Sequence, residues 1–153
     1  MKELVVDASV VLKWYLPDEL FGDEALKVLH QYVEGQIDLF APTLLSYEIL
    51  NALLVAERMG RVENRVTRES FQAFLDLQIN LIDPLAEHKG ILSLAGSFQK
   101  SAYDASYLYL AKNRDVELLT GDKRLFNSVK GKLKWVIWIG QLGKVDMAKS
   151  RLD

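Results

Sequence analysis

Apolar positions along the chain follow two alternating rhythms. Short runs rich in apolar residues read as strands: Leu4-Val5-Val6 within Glu3 to Val6, Ile37 to Ala41, Leu81-Ile82, Val116 to Thr120 and Trp135 to Ile139. Between them, apolar residues return at three- and four-residue spacing, the period of a helix face. Ser9 to Leu16 reads as a helix closed by Pro17, and Asp23 to Glu34 sets Ala25, Leu26, Leu29, Tyr32 and Val33 at helical spacing before Gly35 stops it. Pro42 and Thr43 open a long helix through Leu44, Leu45, Ile49, Ala52, Leu53 and Ala56 to Gly60, and Val66 to Leu77 shows Phe71, Phe74 and Leu75 on one face. Leu85 to Gln99, Ala102 to Lys112 and Lys123 to Val129 complete the series. Strands alternate with helices throughout, which predicts an α/β domain whose largely parallel sheet is covered on both faces. No repeat, linker or low-complexity tract interrupts residues 1–153, so they read as a single domain.

Composition removes several chemistries. The chain contains no Cys, which excludes a disulfide scaffold, a thiolate metal site and a cysteine nucleophile. His30 and His88 are its only histidines, too few for a multi-histidine zinc site. No apolar run approaches the roughly 20 residues that span a bilayer, and the opening MKELVVDAS meets an acid too early for the core of a signal peptide. The expectation is a soluble, cytoplasmic protein with no membrane partner. The net charge of −2 hides an asymmetry, −6 over residues 1–56 and +4 over residues 57–153. An acidic front and a basic back suit a metal-dependent enzyme acting on an anion, and equally a chance distribution.

Four acids stand out. In open α/β sheets the functional crevice lies beyond the carboxyl ends of the strands. Asp7 follows Leu4-Val5-Val6 and Asp122 follows Leu118-Leu119-Thr120-Gly121, so both occupy that position, although an Asp between a strand and a helix is also a common N-cap. Glu48 has Leu44, Leu45, Asn51 and Ala52 as helical neighbours, and Asp104 heads a face continued by Tyr107, Leu108 and Ala111. Acids on core-facing positions need a partner, either a salt bridge or a bound cation. If the four converge, they repel one another unless a divalent ion is present. An all-oxygen site without His or Cys selects Mg²⁺ or Mn²⁺, ions suited to phosphoryl chemistry. Spacing alone leaves that convergence open.

The contexts of these acids, VVDAS, LLSYEILNAL, YDASYLYLA and LLTGDKRL, closely resemble the PIN-domain ribonucleases, and most of all the toxin components of VapBC toxin–antitoxin pairs. The order Asp, Glu, Asp, Asp matches, over nearly the whole chain, and YDASYLYLAKN followed by a strand and TGDKRL is the most specific stretch. The resemblance implies a three-layer α/β/α sandwich with Asp7, Glu48, Asp104 and Asp122 as the metal-binding, catalytic set. It further implies supporting roles for Ser9 and Thr120, by hydrogen bonds to a carboxylate or a bound water, and for Asn51, one turn after Glu48. The implied reaction is endonucleolytic hydrolysis of RNA with one or two Mg²⁺ or Mn²⁺ ions. A small antitoxin protein and a second copy of the chain are the implied partners. Ser and Thr at strand–helix junctions are also common caps.

Basic residues follow the last acid of the set: Lys123, Arg124, Lys130, Lys132, Lys134 and Lys144, with Trp135 and Trp138 among them and no acid before Asp146. Lys123 and Arg124, beside Asp122, are candidates to hold RNA phosphate; the Trp pair reads as packing around the last strand. Arg58, Arg61, Arg65 and Arg68, diluted by Glu57, Glu63 and Glu69, suit a groove for RNA or a partner. Tyr103, Tyr107, Phe71 and Phe74 read as core or dimer contacts, and His30 and His88 as surface or packing residues. Three alternatives compete: a stand-alone RNA-processing nuclease, a degenerate domain that only binds RNA or protein, and a haloacid-dehalogenase-like phosphatase. The last needs an Asp two residues after Asp7, where this chain has Ser9.

Overall fold

The computed structural model describes residues 1–144. Its centre is a five-stranded, wholly parallel sheet of β1 (Lys2–Val6), β2 (Ile37–Pro42), β3 (Asn80–Ile82), β4 (Glu117–Thr120) and β5 (Val136–Trp138) in the order β3-β2-β1-β4-β5. Leu4, Val5 and Val6 are all fully buried. Consecutive residues of a strand point to opposite faces, so the carboxyl half of β1 is covered above and below, which is why Leu4-Val5-Val6 is an unbroken apolar run.

The helices are α1 (Ala8–Val11), α2 (Gly22–Val33), α3 (Leu44–Arg58), α4 (Asn64–Asp76), α5 (His88–Phe98), α6 (Ala102–Arg114) and α7 (Lys123–Val129). The crossovers from β1 to β2 to β3 run toward one edge, and the return from β3 to β4 and then β5 runs toward the other. With right-handed connections, this places α1–α4 on one face and α5–α7 on the other. The result is the expected three-layer α/β/α sandwich. The direction of winding reverses between β1 and β4, and at such a switch point the two neighbouring loops diverge and leave a crevice at the carboxyl edge. Val6 pairs with Leu119 there, so Asp7 and the Gly121-Asp122 turn leave the sheet side by side.

Several boundaries differ from the sequence reading. The helix expected over Ser9 to Leu16 is a single α turn, Ala8–Val11, that tightens into a 3₁₀ turn at Leu12–Trp14, where Pro17 bars a longer α-helix. The first turn of the Leu85 to Gln99 segment is also 3₁₀, with Glu87 N–H bonded to Pro84 O at 2.9 Å. On α2 the stripe is rotated: Ala25, Val28 and Gln31 are buried, while Leu26 and Val33 are exposed. On α4 Phe74 is buried and Leu75 exposed. The last strand ends at Trp138 and passes into a 3₁₀ turn, Ile139–Lys144. Asp146 and the rest of 145–153 lie outside the described residues, as does the side chain of Lys144.

Candidate active site

β1 delivers Asp7 to the floor of the crevice, buried to 6% exposure. It precedes α1 but does not cap it with its side chain. Its Oδ1 instead accepts the Ser9 hydroxyl and its Oδ2 the Thr120 hydroxyl, the latter at 2.5 Å. Both hydroxyls are themselves held by the β4–α7 turn: Gly121 N–H donates to Ser9 Oγ at 2.7 Å and Asp122 N–H to Thr120 Oγ1 at 3.0 Å. Two backbone amides thus orient two hydroxyls, which orient one carboxylate. Gly121 is needed for this closeness, because a Cβ there would stand 2.8 Å from Lys13 Cε and 3.2 Å from Ser9 Oγ. Burial pushes the Asp7 carboxyl up to about 6, the two hydroxyls pull the other way, and the charge of Asp122 adds to the rise.

Asp122 is both things the sequence allowed. It is the N-cap of α7, its Oδ1 accepting Leu125 N–H at 3.1 Å, and it faces the crevice closely enough to act on Asp7 and Asp104. Glu48 projects half-buried from α3, and the Tyr107 hydroxyl donates to its Oε1 at 2.6 Å. Burial raises its pKa, the Tyr107 hydroxyl opposes, and the charges of Asp7 and Asp104 raise it further. Asp104 lies in the first turn of α6, its N–H bonded to the capping Ser101 Oγ at 3.1 Å. Burial and then Asp122 raise its pKa, and Lys100 opposes them.

Asp7 therefore senses Asp122, Asp122 acts on Asp104, Asp104 acts on Glu48, and Asp7 acts on Glu48. Four carboxylates from four elements form one closed electrostatic cluster. Among the described residues none of the four makes an ion pair. Nor, among those residues, does any group of three His, Asp or Glu side chains already stand in position to hold an ion. The donor chemistry nevertheless fits a hard divalent cation: all four ligands are carboxylate oxygens, Asp7 is buried and the other three half-buried, and none is ion-paired among the described residues.

The other candidate residues divide. Ser9 and Thr120 support Asp7 directly, whereas Asn51 is exposed on α3. Lys123 and Arg124 are exposed beside Asp122, with Lys123 Nζ 4.5 Å from the Trp138 ring centroid. Trp138 is half-buried and meets Phe21 edge-on at 5.4 Å, and Trp135 packs against the core, so the Trp pair is packing. Of the arginines, Arg61 is committed to Asp18 and Glu19 at 2.7 and 2.9 Å, and Arg65 to Glu69. His30 and His88 are surface residues. Tyr107 is buried in the core, one of the two places expected for it, whereas Tyr103 is 67% exposed in the chain and so lies outside the core.

The roles of two residues near the site are not read from the sequence. Tyr107 pins Glu48, and its position one turn after Asp104 on an apolar face was the available signal, since a buried tyrosine hydroxyl needs a partner. Lys13 is buried, with Cε against Gly121 and Nζ 4.0 Å from Glu19 Oε1. Nothing local marks it, because Gly121 is distant in sequence.

The sequence profile of the PIN domain matches residues 4–132. The chain belongs to the PIN-domain family. Similar members include Ribonuclease VapC1 of Mycobacterium tuberculosis, 33% identical over 128 residues that cover 82% of this chain and 90% of that one. Exonuclease VapC9 of Pyrobaculum aerophilum is 30% identical, covering 84% of this chain and 87% of its own. The crystal structure of PAE2754 from the same organism superposes with a TM-score of 0.64 at 26% identity, over 92% of this chain and 93% of that one. This PIN domain thus shares its architecture with a solved structure as well as its sequence with named relatives. Among the described residues no helix is long and apolar enough to cross a membrane.

Proposed function

We propose that this PIN-domain protein is a divalent-metal-dependent ribonuclease of the VapC kind, hydrolysing RNA phosphodiester bonds as the toxin of a toxin–antitoxin pair. One observation carries the reading: four mutually repelling carboxylates gather at the switch point of the sheet with no paired cation among the described residues. Asp7, Glu48, Asp104 and Asp122 would hold Mg²⁺ or Mn²⁺, one ion or two, which when bound polarises a phosphate and acidifies water. The remaining work falls to the chain. Ser9 and Thr120 hold Asp7 in one orientation, Tyr107 holds Glu48, and the Leu125 amide holds Asp122, so the carboxylates are preorganised. Lys123 and Arg124, exposed beside Asp122, meet the phosphates flanking the bond to be cut.

The relatives named VapC support a small antitoxin as partner, and we propose in addition a homodimer of this chain. We read the cut as internal to the strand. The relative named an exonuclease favours a second reading, attack from an RNA end. The test is cleavage of linear and circular RNA, structured and single-stranded, with Mg²⁺, Mn²⁺ or EDTA, by wild type and Asp104→Asn. Metal-dependent cutting of circles by wild type alone supports the proposal. Cutting of linear RNA only selects the exonuclease. No cutting on any RNA by folded protein rejects the nuclease and leaves a binding domain.

A further inference from the structure

We propose that Trp138 is a positioning residue whose ring seats the Lys123 ammonium as an unneutralised cation for a phosphate of the RNA strand; this rests on the nuclease reading above. Lys123 directly follows Asp122, whose Oδ1 caps α7, yet among the described residues it makes no ion pair with any acid. Its Nζ lies instead over two rings, 4.5 Å from the centroid of Trp138 and 5.6 Å from that of Phe126. Trp138 ends β5 and pairs in register with Thr120, the residue whose hydroxyl holds Asp7. The ring thus belongs to the same carboxyl edge of the sheet as the acids.

Several neighbours fix the indole. Phe21 meets it edge-on at 5.4 Å and Phe126 lies tilted against it at 6.2 Å. Phe21 reaches it from a left-handed backbone, φ 62°, a conformation strained for a bulky residue. Gly140 makes room, because a Cβ there would stand 2.1 Å from Trp138 Nε1 and push the ring away. The Trp138 backbone N–H donates to Gln141 Oε1 at 3.1 Å. An aromatic face attracts a cation through its quadrupole and carries no net charge. It therefore orients the ammonium without cancelling it, as the hydroxyls of Ser9 and Thr120 orient Asp7 without neutralising it. A carboxylate in the place of the ring would fix Lys123 as well but leave no charge for a phosphate. Arg124, its exposed neighbour, lies over no ring among the described residues, so of the two cations only Lys123 is seated before RNA arrives. A side chain already ordered loses less freedom when it binds.

The contact itself is read by proton NMR of the unsubstituted protein. A ring seat displaces the Lys123 Cε proton resonances upfield, and Trp138→Met should remove the displacement; ordinary lysine shifts in the unsubstituted protein overturn the proposal without any variant. The use of the charge is read from the affinity of the full-length Asp7→Asn protein, in EDTA, for a uridine decamer between about 50 and 200 mM KCl. Lys123→Gln should lower the slope of log affinity against log salt by about 0.7, the value of one single-strand phosphate contact. Trp138→Met should weaken binding about threefold, the scale of an exposed cation–π contact, and Trp138→Phe should restore most of it. Added to Lys123→Gln, Trp138→Met should weaken binding no further. That coupling separates positioning from packing, because a ring that only fills space, or that stacks on a base itself, matters whether or not residue 123 is charged. Additive losses, an unchanged slope in Lys123→Gln, or no binding of the decamer overturn the proposal. Wild-type cleavage with metal is assayed separately. Coupled effects on binding without cleavage reject the nuclease reading and retain the seat, and metal-dependent cleavage with additive effects does the reverse.

Discussion

The two ends of the central sheet treat acidic side chains in opposite ways. At the amino end, buried Glu117 accepts Lys2 Nζ at 2.6 Å and Glu3 accepts Arg114 Nη2 at 3.0 Å. The Arg114 guanidinium also lies 3.8 Å from the Phe40 ring centroid. Each of these two acids has its own cation, while Asp38 of β2 beside them is held by the Asn80 side chain and the Leu39 amide. At the carboxyl end the same two strands, β1 and β4, lead to Asp7 and Asp122, and hydroxyls, an amide and a phenol take the place of cations. Hydroxyl donors orient a carboxylate without neutralising it. The protein can pair charges within one sheet and at its carboxyl edge does not, so the negative potential there is kept for something that binds.

The comparison is broken most decisively by Asp7→Asn. Cleavage should fall to background, while in EDTA at neutral pH the protein becomes more stable, since a carboxyl displaced from 3.8 to about 6 costs up to roughly 3 kcal/mol when ionised. RNA cleavage together with thermal melting checks both signs; a destabilised variant would mean that Asp7 is structural. Glu117→Ala at the opposite end should do the reverse. It leaves Lys2, only 15% exposed, without its partner, costing roughly 2 kcal/mol in a urea melt, with cleavage per folded molecule unchanged.

A pH series sharpens the contrast. Because folding raises the Asp7 pKa, the protonated form is favoured in the folded state. Its contribution is fully present below about 3.8 and is lost as pH rises through about 6. The stability advantage of Asp7→Asn over wild type in EDTA should therefore be large at pH 7.5 and vanish near pH 4. A gap independent of pH would assign the effect to something other than charge. The smallest effect belongs to Tyr107→Phe. Losing the 2.6 Å bond to Glu48 should cost about 1 kcal/mol and lower kcat about tenfold, with the acidic limb of the pH–rate profile moving up, since the phenol no longer holds the Glu48 pKa down.

Strands and helices were legible because each carries its own period: Leu4-Val5-Val6 cannot alternate if both faces are covered, and Leu45, Ile49, Leu53 and Ala56 mark one buried stripe on α3. Where the reading failed, a neighbour in space overruled the local pattern. Leu26 and Val33 look like core yet face out, because α2 turns Val28 and Gln31 inward instead. Tyr103 and Tyr107 share a helix and look alike in sequence. One is exposed beside a cavity and the other buried on Glu48, and only the packing of α6 on the sheet separates them.

Residue type and strand-end position were enough to single out Asp7 and Asp122, and a charged residue on an apolar stripe was enough for Glu48 and Asp104. Those signals are local, because hydrophobic burial penalises an unpaired acid wherever the chain goes next. Convergence was not local. It depends on the reversal of winding between β1 and β4, which sets Asp7 beside the Gly121-Asp122 turn, and on α3 and α6 meeting from opposite layers so that Tyr107 reaches Glu48. The hydroxyl cradle of Ser9 and Thr120, the fit of Lys13 against Gly121 and the rings beneath Lys123 exist only once residues far apart in the chain share a few ångströms of space.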